Sequence, residues 1–99
     1  MILIKIHKSY RNVVAICDAN LIGKKFEEGR KQLDLTGSFY NGDQVSMEEA
    51  VKIIKFQAKE DSTFNIVGQA SIEAAEKAGL IDKKAIGRIA KIPFALILL

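Results

Sequence analysis

The sequence contains one histidine and one cysteine, residue types that bind zinc or form a nucleophilic pair. His7 and Cys17 lie in two short apolar runs that predict a β-hairpin, across which they could face each other. Two ligands make an incomplete zinc site, and a thiol inside an apolar strand has a raised pKa and little reactivity. We therefore expect a surface histidine, an inert buried thiol, no metal and no cofactor. A lone cysteine also indicates a reducing, cytoplasmic location.

Asp18 directly follows a predicted strand, where α/β sheets commonly place a catalytic or ligand-binding carboxylate. The same position suits the N-cap of a helical turn, which Gly23 would end. Asn41, Asp43 and Asn65 also border predicted glycine turns, where sites often form. A small enzyme built on these four polar residues is one hypothesis, and it requires that their side chains converge. The cap is favoured because no second carboxylate lies at useful spacing from Asp18.

Residues 65–71 have the order strand, glycine, helix N-terminus. Free N–H groups and the helix dipole at such a point can bind a phosphate or a carboxylate. Asn65, Gly68 and Gln69 are therefore a candidate anion site. The segment matches neither the Walker loop nor the three-glycine dinucleotide motif. The alternative is that Gly68 only permits a tight turn from strand to helix.

The basic residues form local groups, although the net charge is only +3 over 99 residues. Two groups sharing one face could contact several phosphates, and Phe39 and Tyr40, in a glycine-bounded loop, could stack on bases. A non-catalytic domain associated with RNA or ribonucleoprotein is therefore our leading hypothesis. Alternatively, the lysines only solvate the surface, and Phe39 fills the core. The candidate phosphate contacts are Lys24, Lys25, Arg30, Lys31, Lys83, Lys84, Arg88 and Lys91, and a further lysine stripe is Lys52, Lys55 and Lys59.

Residues 92–99 form an uncharged apolar run. A membrane-spanning helix needs about 20 such residues, so this run predicts no membrane span. A buried strand is the favoured interpretation. The alternative is an exposed edge that a partner or a second copy covers, so that residues 94–99 would make the protein an interaction or homo-oligomerising module.

Length and composition predict one globular domain over residues 1–99. Hydrophobic residues make up 48% and charged residues 27%, which is enough apolar material to form a core. A period of two over residues 2–8 and a β-branched run at 13–17 predict an N-terminal antiparallel hairpin. Alternation over residues 29–35 predicts a third strand.

The clearest element is a helix from Met47 to about Lys59, which begins with a capping box formed by Ser46 and Glu49. The later elements are a strand at 63–67, a helix at 71–78 ended by Gly79, a helical turn capped by Asp82, and strand segments at 88–92 and 94–98.

Strands that alternate with helices after residue 43 predict crossovers and some parallel pairing. The predicted fold is α/β, with α+β as the alternative: a single compact domain with an N-terminal hairpin, a mixed sheet and two principal helices. Pro93 interrupts the terminal strand and predicts an edge strand, a bulge or a turn.

Three motifs of this sequence are distinctive in combination. They are residues 14–18 (VAICD) with 21–29 (LIGKKFEEG), residues 39–42 (FYNG), and residues 65–70 (NIVGQA) with Ala74, Ala75 and residues 79–81 (GLI). Together they resemble the archaeal domain-of-unknown-function 424 family over nearly the whole chain. The family commonly has a Gly-x-Pro-His stretch near its C-terminus, whereas residues 91–94 here are KIPF. The resemblance implies a small cytoplasmic protein of unassigned role, in which no activity can depend on that histidine.

Overall fold

A computed structural model describes residues 1–98 as a mixed α/β domain. The helices are α1 (Met47–Lys59) and α2 (Gln69–Lys77). The strands are β1 (Ile2–His7), β2 (Val13–Asp18), β3 (Lys25–Glu28), β4 (Lys31–Asp34), β5 (Asp43–Val45), β6 (Thr63–Val67), β7 (Gly87–Ile89) and β8 (Ile92–Ile97).

Six strands form one mixed sheet in the order β5-β1-β2-β6-β8-β7. The predicted hairpin is confirmed, since β1 and β2 pair antiparallel with Leu3 opposite Cys17 and Ile4 opposite Ile16. β2 and β6 pair in parallel, and the other neighbouring pairs are antiparallel. The predicted mixed sheet is therefore confirmed.

One side of the sheet, which we call the helix face, packs against both helices. Alternate residues of the central strands point to this side, so Ile16 and Ile66 meet Ile54 of α1 and Ile72 of α2 in the larger core cluster. Phe64 lies in the same cluster and is fully buried. Burial of each large apolar side chain contributes about 1.5–3 kcal/mol, so this layer is the main source of stability.

The opposite side, the hairpin face, is covered at one end by β3 and β4, which form a separate two-stranded sheet. Phe26 and Leu33 from this second hairpin pack toward Cys17 and Val67 of the main sheet. The strand predicted over residues 29–35 is found as β4, but its partner β3 was not predicted, and Gly29 lies in the turn between them with a φ of 61°. Three of the four residues of β3 are charged and have low strand propensity. Phe26 is its one half-buried residue, so the sequence shows no alternation that would predict a strand.

The predicted capping box at α1 is confirmed. Ser46 Oγ accepts a hydrogen bond from Glu49 N at 3.1 Å, and Glu49 Oε1 accepts one from Ser46 N at 3.0 Å. Bonding to the Ser46 backbone lowers the pKa of Glu49 below its ordinary value. The bounds of α1 match the prediction because two orphan N–H donors are satisfied at its first turn.

α2 also ends as predicted, at Gly79 with a φ of 76°. Gly79 N donates to Glu76 O and Leu80 N donates to Ala75 O, both at 3.0 Å, which is the Schellman arrangement. Asp82 Oδ1 then accepts from Lys84 N at 2.9 Å, and this cap begins the predicted helical turn, a 3-10 helix at Lys83–Ala85.

Pro93 lies in an inner strand, so of the three predicted alternatives (an edge strand, a bulge or a turn) the edge strand is excluded. β8 lies between β6 and β7, and β7 is the edge. The Pro93 carbonyl accepts from Gly68 N at 2.9 Å, beyond the last β6–β8 pair at Val67 and Phe94. The missing N–H of proline therefore falls where β6 has already ended, so no ladder bond is lost. Within residues 1–98, neither helix is long and apolar enough to cross a membrane.

Candidate functional site

The Asp18 carboxylate is the N-terminal cap of α2. It is 8% exposed, and it accepts hydrogen bonds from Ala70 N to Oδ2 at 3.1 Å, from Ser71 N to Oδ1 at 2.8 Å, and from Ser71 Oγ to Oδ1 at 2.7 Å. Ala70 and Ser71 are the second and third residues of α2, whose N–H groups a capping side chain normally satisfies. Asp18 therefore acts as a helix cap, as expected, but the helix that it caps lies 52 residues further along the chain. The short 3-10 helix after Asp18 (Ala19–Leu21) receives no side-chain cap.

Gly68 makes this long-range cap feasible. It is the N-cap residue of α2, has a φ of 110° and carries no side chain that could cap the helix. A Cβ at this position would lie within 2.6 Å of both Asp18 carboxylate oxygens. The glycine therefore leaves the space that the carboxylate fills, and it adopts a backbone conformation essentially reserved for glycine.

The anion site predicted from Asn65, Gly68 and Gln69 is therefore already occupied in part by the Asp18 carboxylate. Two N–H groups of the first turn of α2 already bond to the chain's own carboxylate. Asn65 projects to the hairpin face, since its neighbours Phe64 and Ile66 belong to the helix-face cluster. Ser71 was missed by sequence reasoning, although a serine three residues after Gly68 could have indicated a polar partner for a buried carboxylate.

The hypothesis of an enzyme site at Asp18, Asn41, Asp43 and Asn65 fails on geometry. Asn41 and Asp43 line one cavity of about 470 Å³ at the β1 edge, together with Lys5. Asp18 is held by α2, and Asn65 lies on the opposite face of the sheet. Only two of the four side chains come together, because the strands place the others on different sides.

His7 and Cys17 do not face each other across the hairpin, since His7 pairs with Val13 and Cys17 pairs with Leu3. Burial, followed by the nearby Asp18 charge, raises the pKa of Cys17 to about 12, so the thiol stays protonated at neutral pH. No group of three or more His, Cys, Asp or Glu that could hold a metal occurs in the described part of the chain.

The aromatic loop residues have separate surroundings. Phe39 is 40% exposed and stacks on the His7 ring at 4.5 Å between centroids, while the His7 Nε2–H donates to Phe39 O at 2.9 Å. Tyr40 packs against the smaller core cluster, and burial raises its pKa to about 12. Phe39 therefore neither fills the core nor stands free, because one face of its ring is already taken.

Two basic groups that are distant in sequence meet at the β7 edge. The Glu28 side chain, at the end of β3, accepts a hydrogen bond from Ala90 N in the β7–β8 turn at 2.9 Å. This bond brings the tip of the second hairpin, with Arg30 and Lys31, next to the turn that carries Lys91. We name the combined region the β7 edge surface, and it consists of Arg30, Lys31, Lys83, Lys84, Arg88 and Lys91.

Lys24 and Lys25 lie at the other end of the second hairpin. Lys25 Nζ is 3.8 Å from Glu27 Oε1. The pKa of Asp34 is lowered mainly by its hydrogen bonds to Thr36, and the charge of Lys25 lowers it further. These two predicted phosphate contacts are therefore separated from the β7 edge surface, and Lys25 is partly neutralised.

A cavity of about 280 Å³ opens between α2 and β7, and we name it the α2–β7 cavity. It brings together Lys83 and Arg88, two predicted phosphate contacts, and Gln69, a predicted anion ligand. Glu76 was not anticipated by sequence reasoning, although it follows Gln69 by seven residues and so shares its helix face. The full lining is Gln69, Ile72, Glu76, Lys83, Ile86, Arg88 and Pro93.

Replacement of Asp18 by asparagine tests the cap. Asp18→Asn is expected to lower the free energy of unfolding by about 1–3 kcal/mol. The amide NH2 group would replace one carboxylate oxygen, and it cannot accept the hydrogen bond that a backbone N–H of α2 donates there. Urea unfolding followed by circular dichroism measures the change. Asp61→Asn is the control, since Asp61 is exposed with a φ of 56°, which asparagine tolerates. Equal losses in the two variants would contradict the cap.

A pair of glycine substitutions tests the space beside Asp18. Gly68→Ala is expected to destabilise more than Gly79→Ala, which should cost about 1–2 kcal/mol for its left-handed backbone alone. A Cβ at Gly79 meets nothing within 4 Å, whereas one at Gly68 displaces the capping carboxylate. Thermal unfolding of both variants gives the comparison, and similar melting temperatures would show that the carboxylate moves aside at no cost.

Comparison with solved structures supports the fold. A crystal structure described as an uncharacterized conserved protein from Methanopyrus kandleri is similar over 98% of this chain and 91% of that chain. The TM-score is 0.87, and the sequences are 26% identical. A search of curated proteins finds no match.

The resemblance seen in the sequence motifs is confirmed at the level of the family. The family described as Protein of unknown function (DUF424) has a model that matches residues 6–99. Phe94, in the segment where the resemblance led us to expect a histidine, is half-buried and packs against the smaller core cluster. The match covers nearly the whole chain, and the protein therefore belongs to the DUF424 family.

Proposed function

We propose that this protein is a non-catalytic domain that binds single-stranded RNA through the β7 edge surface. The observation that carries the proposal is the hydrogen bond from Ala90 N to Glu28, because it holds two separate cationic turns side by side. Neither turn alone would distinguish an RNA contact from ordinary surface solvation.

The charges on the β7 edge surface are available to an outside partner. All six residues are exposed, and none of them forms an ion pair within residues 1–98. Two nearby acids, Glu28 and Asp82, accept hydrogen bonds from backbone N–H groups, so their carboxylates have structural roles, and a third, Glu76, lines the α2–β7 cavity with Lys83 and Arg88. A phosphate chain that reached this edge would meet six cations and would release bound counterions on binding.

The shape of this edge favours a flexible single strand over a duplex. The basic residues wrap around the edge strand: Arg88 lines the cavity on the helix face, while Arg30 and Lys31 belong to the hairpin on the opposite face. A single strand can bend around such an edge, and its unstacked bases remain accessible to neighbouring pockets.

Salt-dependent binding tests the proposal. A single-stranded oligoribonucleotide of about twelve nucleotides, within the usual site sizes, is titrated at several salt concentrations by fluorescence anisotropy. The triple variant Arg30→Gln, Lys31→Gln, Lys91→Gln is expected to reduce the slope of log K against log salt by about 2, since each phosphate contact contributes about 0.7.

The control is the triple variant Lys52→Gln, Lys55→Gln, Lys59→Gln, which removes the same charge from the outer side of α1. It should leave the slope nearly unchanged. A wild-type affinity that does not change with salt, or equal losses in the two triple variants, would overturn the proposal.

A second candidate is self-association through β8, and one observation favours it. Within residues 1–98, β7 pairs with β8 only as far as Phe94, so residues 95–97 have no partner on that side. Leu96 is 58% exposed and Leu98 is 73% exposed next to this free edge. A second copy could extend the sheet there by antiparallel pairing about a two-fold axis, which is the commonest oligomer symmetry.

Sedimentation velocity tests the second candidate. The wild type is expected to form dimers at high concentration, and the double variant Leu96→Lys, Leu98→Lys should remain monomeric, because facing lysines repel at an edge. Tyr10→Lys, which changes an exposed residue in the β1–β2 turn, should still dimerise. A wild type that sediments as a monomer at every attainable concentration contradicts self-association.

A further inference from the structure

We infer that the α2–β7 cavity holds one guanine base of the bound RNA. This inference rests on the proposed function, because Lys83 and Arg88 belong both to the cavity lining and to the β7 edge surface. A strand that followed the edge would therefore pass the mouth of the cavity. The volume of about 280 Å³ is slightly below the usual range of ligand pockets, so it suits a single nucleotide.

Three of the seven residues that line the cavity are apolar and can contact a flat ring. Ile72 of α2, Ile86 and Pro93 line it, and they are drawn from three separate segments. Pro93 is buried in β8, and α2 is fixed by its Asp18 cap, so these walls are held by the main sheet. Apolar contact on a base gives affinity without selecting among bases, because every base offers a ring face.

Selection comes from Glu76. An ionised carboxylate is acceptor-only, with two oxygens side by side, and the Glu76 side chain forms no ion pair within residues 1–98. Guanine is the base that presents two adjacent donors, its N1–H and its 2-amino group, on one edge. Adenine and cytosine place an acceptor nitrogen beside the amino group, and uracil has a single N–H between two carbonyls. Their acceptors would face the carboxylate and repel it.

The cations complete the site. Arg88 and Lys83 line the same cavity, so they can hold the phosphate of the nucleotide whose base faces Glu76. An Arg guanidinium binds phosphate oxygens in a bidentate manner, which fixes the position of the sugar and the base. The amide of Gln69, on the same side of α2 as Glu76, offers a donor to the 6-oxo group or the phosphate.

Mononucleotide titration tests the inference separately from RNA binding. The full chain is titrated with the 5′-monophosphates of guanosine, inosine, adenosine and uridine, and the methyl signals of Ile72 and Ile86 are followed by NMR. All four ligands carry the same phosphate, so differences in affinity report the base alone. Guanosine monophosphate should bind about tenfold more tightly than inosine monophosphate, which lacks the 2-amino group, in line with a bidentate contact.

Two isosteric variants of α2 provide the controls. Glu76→Gln should abolish the preference for guanosine over inosine, while Glu73→Gln, which removes an exposed carboxylate paired with Lys77, should retain it. Equal affinities for the four nucleotides, no shift of either isoleucine, or equal effects of the two variants would overturn the inference. A steep salt slope with RNA alongside any of these results would leave the proposed function standing. A guanosine preference without RNA binding would contradict the proposed function and, with it, the assignment of the base to a bound RNA, while the selectivity of the cavity for guanine would stand.

Discussion

The contact between the Asp18 carboxylate and the first turn of α2 joins the N-terminal hairpin to the second helix. Asp18 ends β2, and α2 begins after β6, so one side chain ties two neighbouring parallel strands to the helix that covers them. The carboxylate satisfies buried N–H donors that would otherwise be costly, and its negative charge lies at the positive end of the helix dipole. Gly68 contributes by leaving space for it.

The position of α2 in turn determines which backbone groups are left for a partner. With its first turn bonded internally, the helix N-terminus offers little to an anion. Exposed lysines also lie on α1, but the β7 edge combines cations from separate segments of the chain. The Glu28–Ala90 bond adds the second hairpin to this edge. The Asp18 and Glu28 carboxylates thus bond to backbone N–H groups and hold separate segments together. Neither of them forms an ion pair with a neighbouring lysine or arginine within residues 1–98.

Local patterns were sufficient for much of the fold. The capping box at Ser46, the period of two in β1 and the terminal glycine of α2 each act within a few residues, so the sequence alone predicted these elements. The same reasoning missed β3, whose only apolar residue is Phe26, and left Pro93 open between an edge strand, a bulge and a turn, because strand order depends on long-range pairing. Of the site, the basic residues could be named in advance. Their convergence could not, since it rests on one hydrogen bond across 62 residues.

An NMR titration with single-stranded RNA distinguishes the β7 edge surface from the other basic groups of the protein. When the labelled protein is titrated, the largest amide shifts are expected at Arg30, Lys31, Arg88 and Lys91. The outer side of α1 should remain unperturbed, although it carries three lysines of its own. Shifts centred on α1, or spread evenly over all lysines, would contradict a site assembled at the β7 edge.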